Sequence, residues 1–185
     1  MQAGTLRGIQ AALFYLGAYT FMVAGSFGII SVITRKGDIG TSLDDLKGLN
    51  RSRPALALGF ALLLFAQAGV PLTSGFFAKF YVITAAVDAG STSLAIIAML
   101  TAVISAFLYL RIIVSMFMSD DEATEPRVIP IPLAAGIALV LCLAVTIGVG
   151  LFPDVLAKPA KDATPVLVAE PDPEPAPAAG EVPTP

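Results

Sequence analysis

Four long apolar stretches, separated by short polar segments, dominate the pattern of the sequence. They cover about residues 9–33, 55–87, 92–118 and 131–152, and each is long enough to cross a hydrocarbon core of about 30 Å as a helix. The first stretch exceeds 20 residues and lacks a small-residue cleavage site, so it is expected to persist as a span. The pattern predicts an all-α membrane protein with four transmembrane helices after a polar lead of residues 1–8.

The second stretch is too long for one straight span. Its 33 residues would form a helix of roughly 50 Å. Pro71 lacks an amide proton and its ring clashes with the preceding turn, so the helix is expected to break between Gly69 and Gly75. Backbone groups that lose their helical hydrogen bonds within the membrane are tolerated only where they are buried in protein or line a water-filled cavity. We therefore predict a discontinuous second helix with Gly69, Pro71 and Gly75 at the break.

Lys79 is the only charged residue in that stretch. Eight uncharged residues separate it from Asp88, so snorkelling to the interface does not account for it. A central charge costs about 2.5 to 3.5 kcal/mol on insertion scales, which favours a functional role over simple pairing with a neighbouring subunit. A lysine one turn after Gly75 on a broken helix indicates an ion or proton site.

Six polar residues are candidates for lining a water-containing path to this lysine. Three surround the break, and three recur at i, i+4 and i+8 along one face of the third helix. They are Gln67, Thr73, Ser74, Thr101, Ser105 and Tyr109. A further stripe on the first helix contains Tyr15 and Tyr19, and we interpret it as ordinary packing between helices.

Composition narrows the class of protein. The chain is 56% hydrophobic and 14% charged, and its mean hydropathy of +0.84 excludes a soluble domain. It has no histidine and a single cysteine, Cys142, so it lacks the ligands of haem, iron–sulfur or zinc sites. No glycine-rich nucleotide-binding turn is present. We expect no metal and no cofactor on this chain, and partners other than nucleic acid.

The placement of cations predicts the orientation in the membrane. Five of the eleven Lys and Arg residues lie between residues 35 and 53, which places this loop in the cytoplasm. Four spans then put both termini, and the lead of residues 1–8, on the outer side. After Pro153 the sequence becomes rich in Pro, Ala and Glu, and residues 154–185 are predicted to form a disordered tail.

Three motifs carry a resemblance to a known family. They are Leu13-Phe-Tyr-Leu-Gly-Ala-Tyr, Asp45-Leu-Lys-Gly-Leu and Ala68-Gly-Val-Pro-Leu-Thr-Ser-Gly-Phe-Phe-Ala-Lys-Phe. Together, the region from about Arg7 to Phe152 resembles the C-terminal part of the antiporter-like subunits of respiratory NADH:quinone oxidoreductase (complex I), most closely the subunit N family.

The resemblance implies a bacterial inner-membrane subunit built from inverted repeats, of which this chain would hold the last four helices. Lys79 matches the lysine of the broken helix in the second repeat, so it is implied to be a proton relay that couples quinone reduction to proton pumping. NADH, FMN, iron–sulfur clusters and quinone would be bound by partner subunits. The expected partners are the other membrane subunits, especially the neighbouring antiporter-like ones, and the lipid bilayer.

The resemblance leaves two alternatives open. Subunits of Mrp-type cation/proton antiporters share the fold without redox partners, and a non-pumping fragment would serve only as a scaffold for other helices. The whole first repeat of the family pattern is missing from this chain, so a fragment, a truncated gene model and a split-gene product all fit. The chain would then be a non-redox subunit of the enzyme with no complete active site of its own.

Overall fold

The computed structural model of the chain describes residues 6–34, 43–118 and 131–168, and every regular element in these ranges is a helix. The predicted all-helical class is therefore confirmed for this part of the chain. A 3₁₀ turn at Leu43–Leu46 precedes the second helix. The seven helices are α1 (Leu6–Ile33), α2 (Leu49–Ser52), α3 (Pro54–Ala68), α4 (Ser74–Asp88), α5 (Thr92–Met118), α6 (Leu133–Leu151) and α7 (Asp154–Val168).

Three of the described helices, α1, α5 and α6, are long and apolar enough to cross a membrane, with 28, 27 and 19 residues. Helices α3 and α4 have 15 residues each. Each is therefore about 22 Å long, which is short of a hydrocarbon core of about 30 Å. The predicted second span consequently needs both helices in series.

Helix α1 lies at the centre of the packing, between α3, α4 and α6. One buried cluster includes Ile29, Phe60 and Met116, and another includes Phe14 and Met22. Lipid tails are as apolar as the helix surfaces, so the hydrophobic effect does not drive helices together within a membrane. Close packing at small residues stabilises such bundles instead. Gly25 of α1 provides such a place, since an added Cβ would press on the side chains of α3 and α6.

The first half of the predicted disordered tail forms helix α7, so that prediction is wrong for residues 154–168. Leu156, Ala160 and Thr164 recur every fourth residue, and this face packs toward α1, where Leu156 lies against Gly17. The prediction was based on the composition of residues 154–185 as a whole, and the proline-rich end of this region concealed the amphipathic segment before it. Residues 169–185 of the tail and residues 1–5 of the lead lie outside the described residues.

Candidate functional site

Helix α3 ends at a glycine that reverses the direction of the chain. Gly69 has a φ of 91°, in the left-handed region where other side chains are strained. Its N–H donates to the carbonyl of Ala66 at 3.0 Å, and the N–H of Val70 donates to the carbonyl of Phe65 at 3.1 Å. This pattern is a Schellman cap, and it satisfies two of the four terminal carbonyls of the helix.

Lys79 of α4 provides donors for the other two carbonyls. Its Nζ donates to the carbonyl oxygen of Gln67 at 2.8 Å and to that of Ala68 at 3.0 Å. The carbonyl end of a helix carries partial negative charge, which stabilises an ammonium group placed there. The lysine side chain passes beside Gly69, where an added Cβ would lie 3.3 Å from Cδ of Lys79. The lysine therefore reaches back across the break and completes the end of α3.

No carboxylate pairs with Lys79 within the described ranges. A salt bridge elsewhere in the structure joins Arg7 to Asp88 at 2.7 Å and is largely exposed. The ammonium of Lys79 is half-buried and its hydrogen bonds go to carbonyl oxygens. A charge that no neighbouring carboxylate neutralises stays sensitive to other charges brought near it, because Coulomb interactions are strong where water is scarce.

The five residues between α3 and α4 include two of the three predicted break residues. Gly69 and Pro71 lie between the helices, whereas Gly75 lies in the first turn of α4. An added Cβ on Gly75 would overlap the carbonyl oxygen of Ala66. Gly75 is thus required by the close approach of two helix ends rather than by a special backbone conformation.

The chain between the half-helices also packs tightly against α6. An added Cβ on Gly150 would overlap the carbonyl oxygen of Leu72 and backbone atoms of Thr73. Leu72 itself has a φ of 69°, an unusual conformation for a residue with a side chain. The irregular backbone is therefore held against protein on its α6 side.

A cavity of about 240 Å³ opens beside Lys79, between α1, α3, α4 and α5. A water molecule occupies about 30 Å³ in the liquid, so the cavity has room for several. Its walls combine aliphatic side chains with one amine, three phenols, two hydroxyls and an amide. The polar lining residues are Tyr15, Tyr19, Gln67, Lys79, Thr101, Ser105 and Tyr109.

Four of the six predicted path residues line this cavity, and Thr73 and Ser74 do not. The Thr73 hydroxyl donates to the carbonyl of Val70 at 2.7 Å, and the Ser74 hydroxyl is buried without a hydrogen-bond partner. The backbone of Thr73 lies against Gly150 of α6. The ammonium is bound by helix-end carbonyls and not by these hydroxyls.

Gln67 connects the site to α1 through its side chain. Its Nε2 donates to Oγ of Ser26 at 2.6 Å, and Gln67 is itself buried. The backbone carbonyl of the same residue accepts the bond from Lys79. One residue therefore fixes the end of α3 against α1 and presents an acceptor to the lysine.

The sequence interpretation assigned the tyrosines of α1 to packing, and it did not place them beside the cavity. Tyr15 and Tyr19 stack with ring centroids 5.2 Å apart, and both line the cavity. Tyr109 of α5 lines the same cavity. The i, i+4 spacing of the two phenols was visible in the sequence, but the helix they face is set by tertiary packing.

No group of three or more His, Cys, Asp or Glu side chains comes together in the described part of the chain. Cys142 is buried in α6. The titratable groups that line the cavity are the Lys79 amine and three phenols. Such a set can bind and pass protons through hydrogen bonds.

Residues 1–105 match the family described as "NADH:quinone oxidoreductase/Mrp antiporter, TM". NADH-quinone oxidoreductase subunit N 2 of Rhizobium meliloti is 44% identical over 153 residues, covering 82% of this chain and 31% of that protein. Subunit N of Thermobifida fusca is 39% identical over 176 residues, covering 91% of this chain and 32% of that protein. The chain spans about a third of the length of these curated relatives.

Two solved structures share the fold. A chain of respiratory complex I from Thermus thermophilus superposes with a TM-score of 0.70 at 28% identity, covering 83% of this chain and 35% of that chain. A chain of the Mrp complex from Dietzia sp. superposes with a TM-score of 0.74 at 24% identity, covering 86% of this chain and 38% of that chain. The second likeness, at this identity, shows the fold alone.

Proposed function

Since the chain belongs to the family of NADH:quinone oxidoreductase and Mrp antiporter transmembrane proteins, we propose that it is the C-terminal part of a proton-translocating subunit of N type. The observation that carries the proposal is the Lys79 amine, which is bound at the carbonyl end of a helix and opens into a polar cavity. In the membrane arm of NADH:quinone oxidoreductase, this lysine would relay protons that are driven across the bilayer by quinone reduction elsewhere.

Helices α3 and α4 act together as one discontinuous membrane span in this proposal. Neither is long enough alone, and the residues between them would leave unpaired backbone groups in lipid. Gly75 meets Ala66 of α3, and Gly150 of α6 meets the segment around Leu72, which supports a break that is held against protein on its α6 side. The excess of cations in residues 35–53 supports an inner-side loop before α3 and outer-side termini.

Lys79 is suited to releasing a proton without disturbing the helix end. A neutral amine keeps two N–H donors, which is the number needed for the carbonyls of Gln67 and Ala68. The third proton of the ammonium is the one that leaves, and water in the cavity is the acceptor. Protonation can therefore change the charge of the site while the Schellman-capped end of α3 stays in place.

Charge movement in neighbouring subunits is the proposed control of this step. No carboxylate in the described ranges neutralises Lys79, so a charge arriving nearby changes the free energy of its ammonium directly. NADH, FMN, iron–sulfur clusters and quinone are assigned to partner subunits, and this chain contributes no redox group. The chain is thus a non-redox subunit of an oxidoreductase in a bacterial inner membrane.

A subunit of an Mrp-type cation/proton antiporter is the second candidate, because the matched family includes it and the Dietzia structure shares the fold. Affinity purification of the native subunit from mild detergent separates the two. Copurification of NADH dehydrogenase subunits supports the first assignment, and copurification of other antiporter subunits without them overturns it.

A scaffold role is the structural alternative, and it makes the opposite prediction for Lys79. If the chain only packs against other helices, Lys79→Ala in an assembled complex leaves NADH-driven proton uptake into sealed vesicles unchanged. The relay proposal requires that uptake falls while NADH oxidation with an artificial acceptor continues.

A further inference from the structure

We propose that a second cavity, between α1, α4 and α7, binds the headgroup of a membrane phospholipid that carries a primary ammonium group. This cavity has a volume of about 270 Å³ and shares no lining residue with the cavity beside Lys79. Four charged side chains line it: Arg7 of α1, Asp88 of α4, and Asp154 and Lys161 of α7. The proposal concerns the lipid contacts of the chain and does not depend on whether Lys79 relays protons.

The cavity lies at one end of the bundle, at the level where lipid headgroups are expected. Helix α1 has 28 residues and is therefore about 42 Å long, which exceeds a hydrocarbon core of about 30 Å. Its ends consequently reach the headgroup regions, and Arg7 is its second residue. Arg7 donates a hydrogen bond at 2.7 Å to Oδ2 of Asp88, the last residue of α4. This salt bridge places the end of α4 at the same level.

The charges of the cavity match a headgroup that contains both a phosphate and an ammonium. The salt bridge leaves hydrogen-bonding capacity on both of its members, because a guanidinium has five N–H donors and a carboxylate has two oxygens. Within the described ranges, neither Asp154 nor Lys161 takes part in an ion pair. These two residues are seven positions apart on α7, so they lie on one face of the helix, separated by about 10 Å along its axis.

Each charged part of the headgroup has two partners in this arrangement. Arg7 and Lys161 donate to the phosphate, and Asp88 and Asp154 accept from the ammonium. Hydrogen bonds between charged groups are stronger than neutral ones. A primary ammonium has three N–H donors, whereas a trimethylammonium headgroup has none. The carboxylates therefore favour the primary ammonium.

Apolar side chains form another part of the cavity wall, which suits a lipid better than a free zwitterion. The rings of Phe14 and Tyr81 meet edge-on there, with their centroids 4.9 Å apart. Ala157 and Ala160 line the cavity on the α7 side. Such a surface is suited to the part of a lipid that joins the headgroup to the acyl chains.

Helix α4 offers a surface for an acyl chain next to the cavity. Phe80 lies one turn before the lining residue Thr84, on the same face of the helix, and it is 51% exposed. It precedes Asp88 by about two turns, or about 12 Å of helix, and so lies deeper in the membrane. A lipid whose headgroup is bound in the cavity can therefore extend an acyl chain along Phe80.

The test uses phosphatidylethanolamine with a photoactivatable diazirine in its acyl chain, added at a subsaturating concentration to the intact, delipidated complex in detergent. Irradiation should label α4 around Phe80, and mass spectrometry of peptides locates and quantifies the label. Excess unlabelled phosphatidylethanolamine should suppress this labelling. Phosphatidylcholine should compete about tenfold less well, the effect of losing one hydrogen bond between charged groups.

Two outcomes of the competition would overturn the proposal. Equal competition by both lipids would show that the carboxylates do not bind the ammonium. Soluble phosphoethanolamine that competes as well as the lipid would show that the cavity binds a free headgroup and not a phospholipid.

Two variants each remove one charge from the cavity. Asp154→Asn should lower labelling by phosphatidylethanolamine about tenfold and weaken its preference over phosphatidylcholine. Lys161→Gln should lower labelling by diazirine derivatives of both lipids, because both contain the phosphate. Lys158→Gln and Asp162→Asn are the matched controls, since both residues are exposed on the same helix and neither lines the cavity. They should be labelled like the unaltered complex.

Unchanged labelling in both Asp154→Asn and Lys161→Gln overturns the proposal, as does an equal loss in the two controls. Lys79→Ala should leave the labelling unchanged, because Lys79 does not line this cavity. The proton relay and the lipid site can therefore fail independently of each other.

Discussion

The choice of lysine rather than arginine matters at the position of residue 79. A guanidinium also offers several N–H donors to helix-end carbonyls, but it stays protonated in proteins. An amine with two carbonyl acceptors, from Gln67 and Ala68, can exist in both charge states in the same place. This difference lets a structural role in capping α3 be separated from a role in moving protons.

Gly148 and Gly150 of α6 provide a matched pair for testing the packing around the break. Gly150→Ala should destabilise the assembled complex by about 1 to 3 kcal/mol, the usual cost of overpacking, because its Cβ would overlap backbone atoms of Leu72 and Thr73. Gly148→Ala should be neutral or slightly stabilising, since nothing lies within 4 Å of its added Cβ. Thermal unfolding of the purified complex measures both, and equal midpoints would contradict tight packing of the break against α6.

Single residues differ in how readily the sequence reveals them. Lys79 stands out because one charge in a long apolar stretch is expensive and needs a reason. The partners of a side chain are hidden, because they depend on which helices pack together. The cavity brings together Tyr19 and Tyr109, which are far apart in the chain, and it is not lined by Thr73 or Ser74.

At the scale of elements, Pro71 marks the interruption but Gly69 determines how α3 ends. The proline excludes a continuous helix, so the interruption is visible in the sequence. The end of α3 at Ala68 follows from the left-handed conformation of Gly69 and the Schellman bonds. Lys79 then completes the cap from the next helix, a contact that no local pattern encodes. Local sequence thus indicates the two helices, and their joint arrangement comes from packing.

Helix α7 shows the limit of reasoning from composition, and its packing can be tested. Ala160→Glu should release the helix from α1, because it places a carboxylate at a site that is 7% exposed. Backbone amides of α7 should then exchange hydrogen at least about tenfold faster than in the unaltered protein. Ala163→Glu, at an exposed position of the same helix, is the control and should leave the exchange unchanged. Equally fast exchange in all three proteins would show that α7 does not pack on α1.

For the molecule as a whole, the cavity beside Lys79 and the junction between α3 and α4 form one unit. Four helices contribute to it: α1 with its tyrosines, α3 with its carbonyl end, α4 with the lysine and α5 with its polar stripe. The chain spans about a third of its curated relatives, so a complete route across the membrane is proposed for the longer assembly and not for these helices alone. In the proposed function, the described residues contribute a site where one proton is held and released.

The most direct test of this account compares Lys79→Arg with Lys79→Ala in the intact complex, by counting protons taken up per NADH oxidised in sealed vesicles. Arginine retains charge and N–H donors for the carbonyls of Gln67 and Ala68 but does not release a proton. We expect proton uptake to fall by about tenfold or more in both variants, as when a proton-transfer group is lost. NADH oxidation with an artificial acceptor should persist in both. Normal uptake in an assembled Lys79→Arg complex would show that the lysine only caps α3, and the relay account would be wrong.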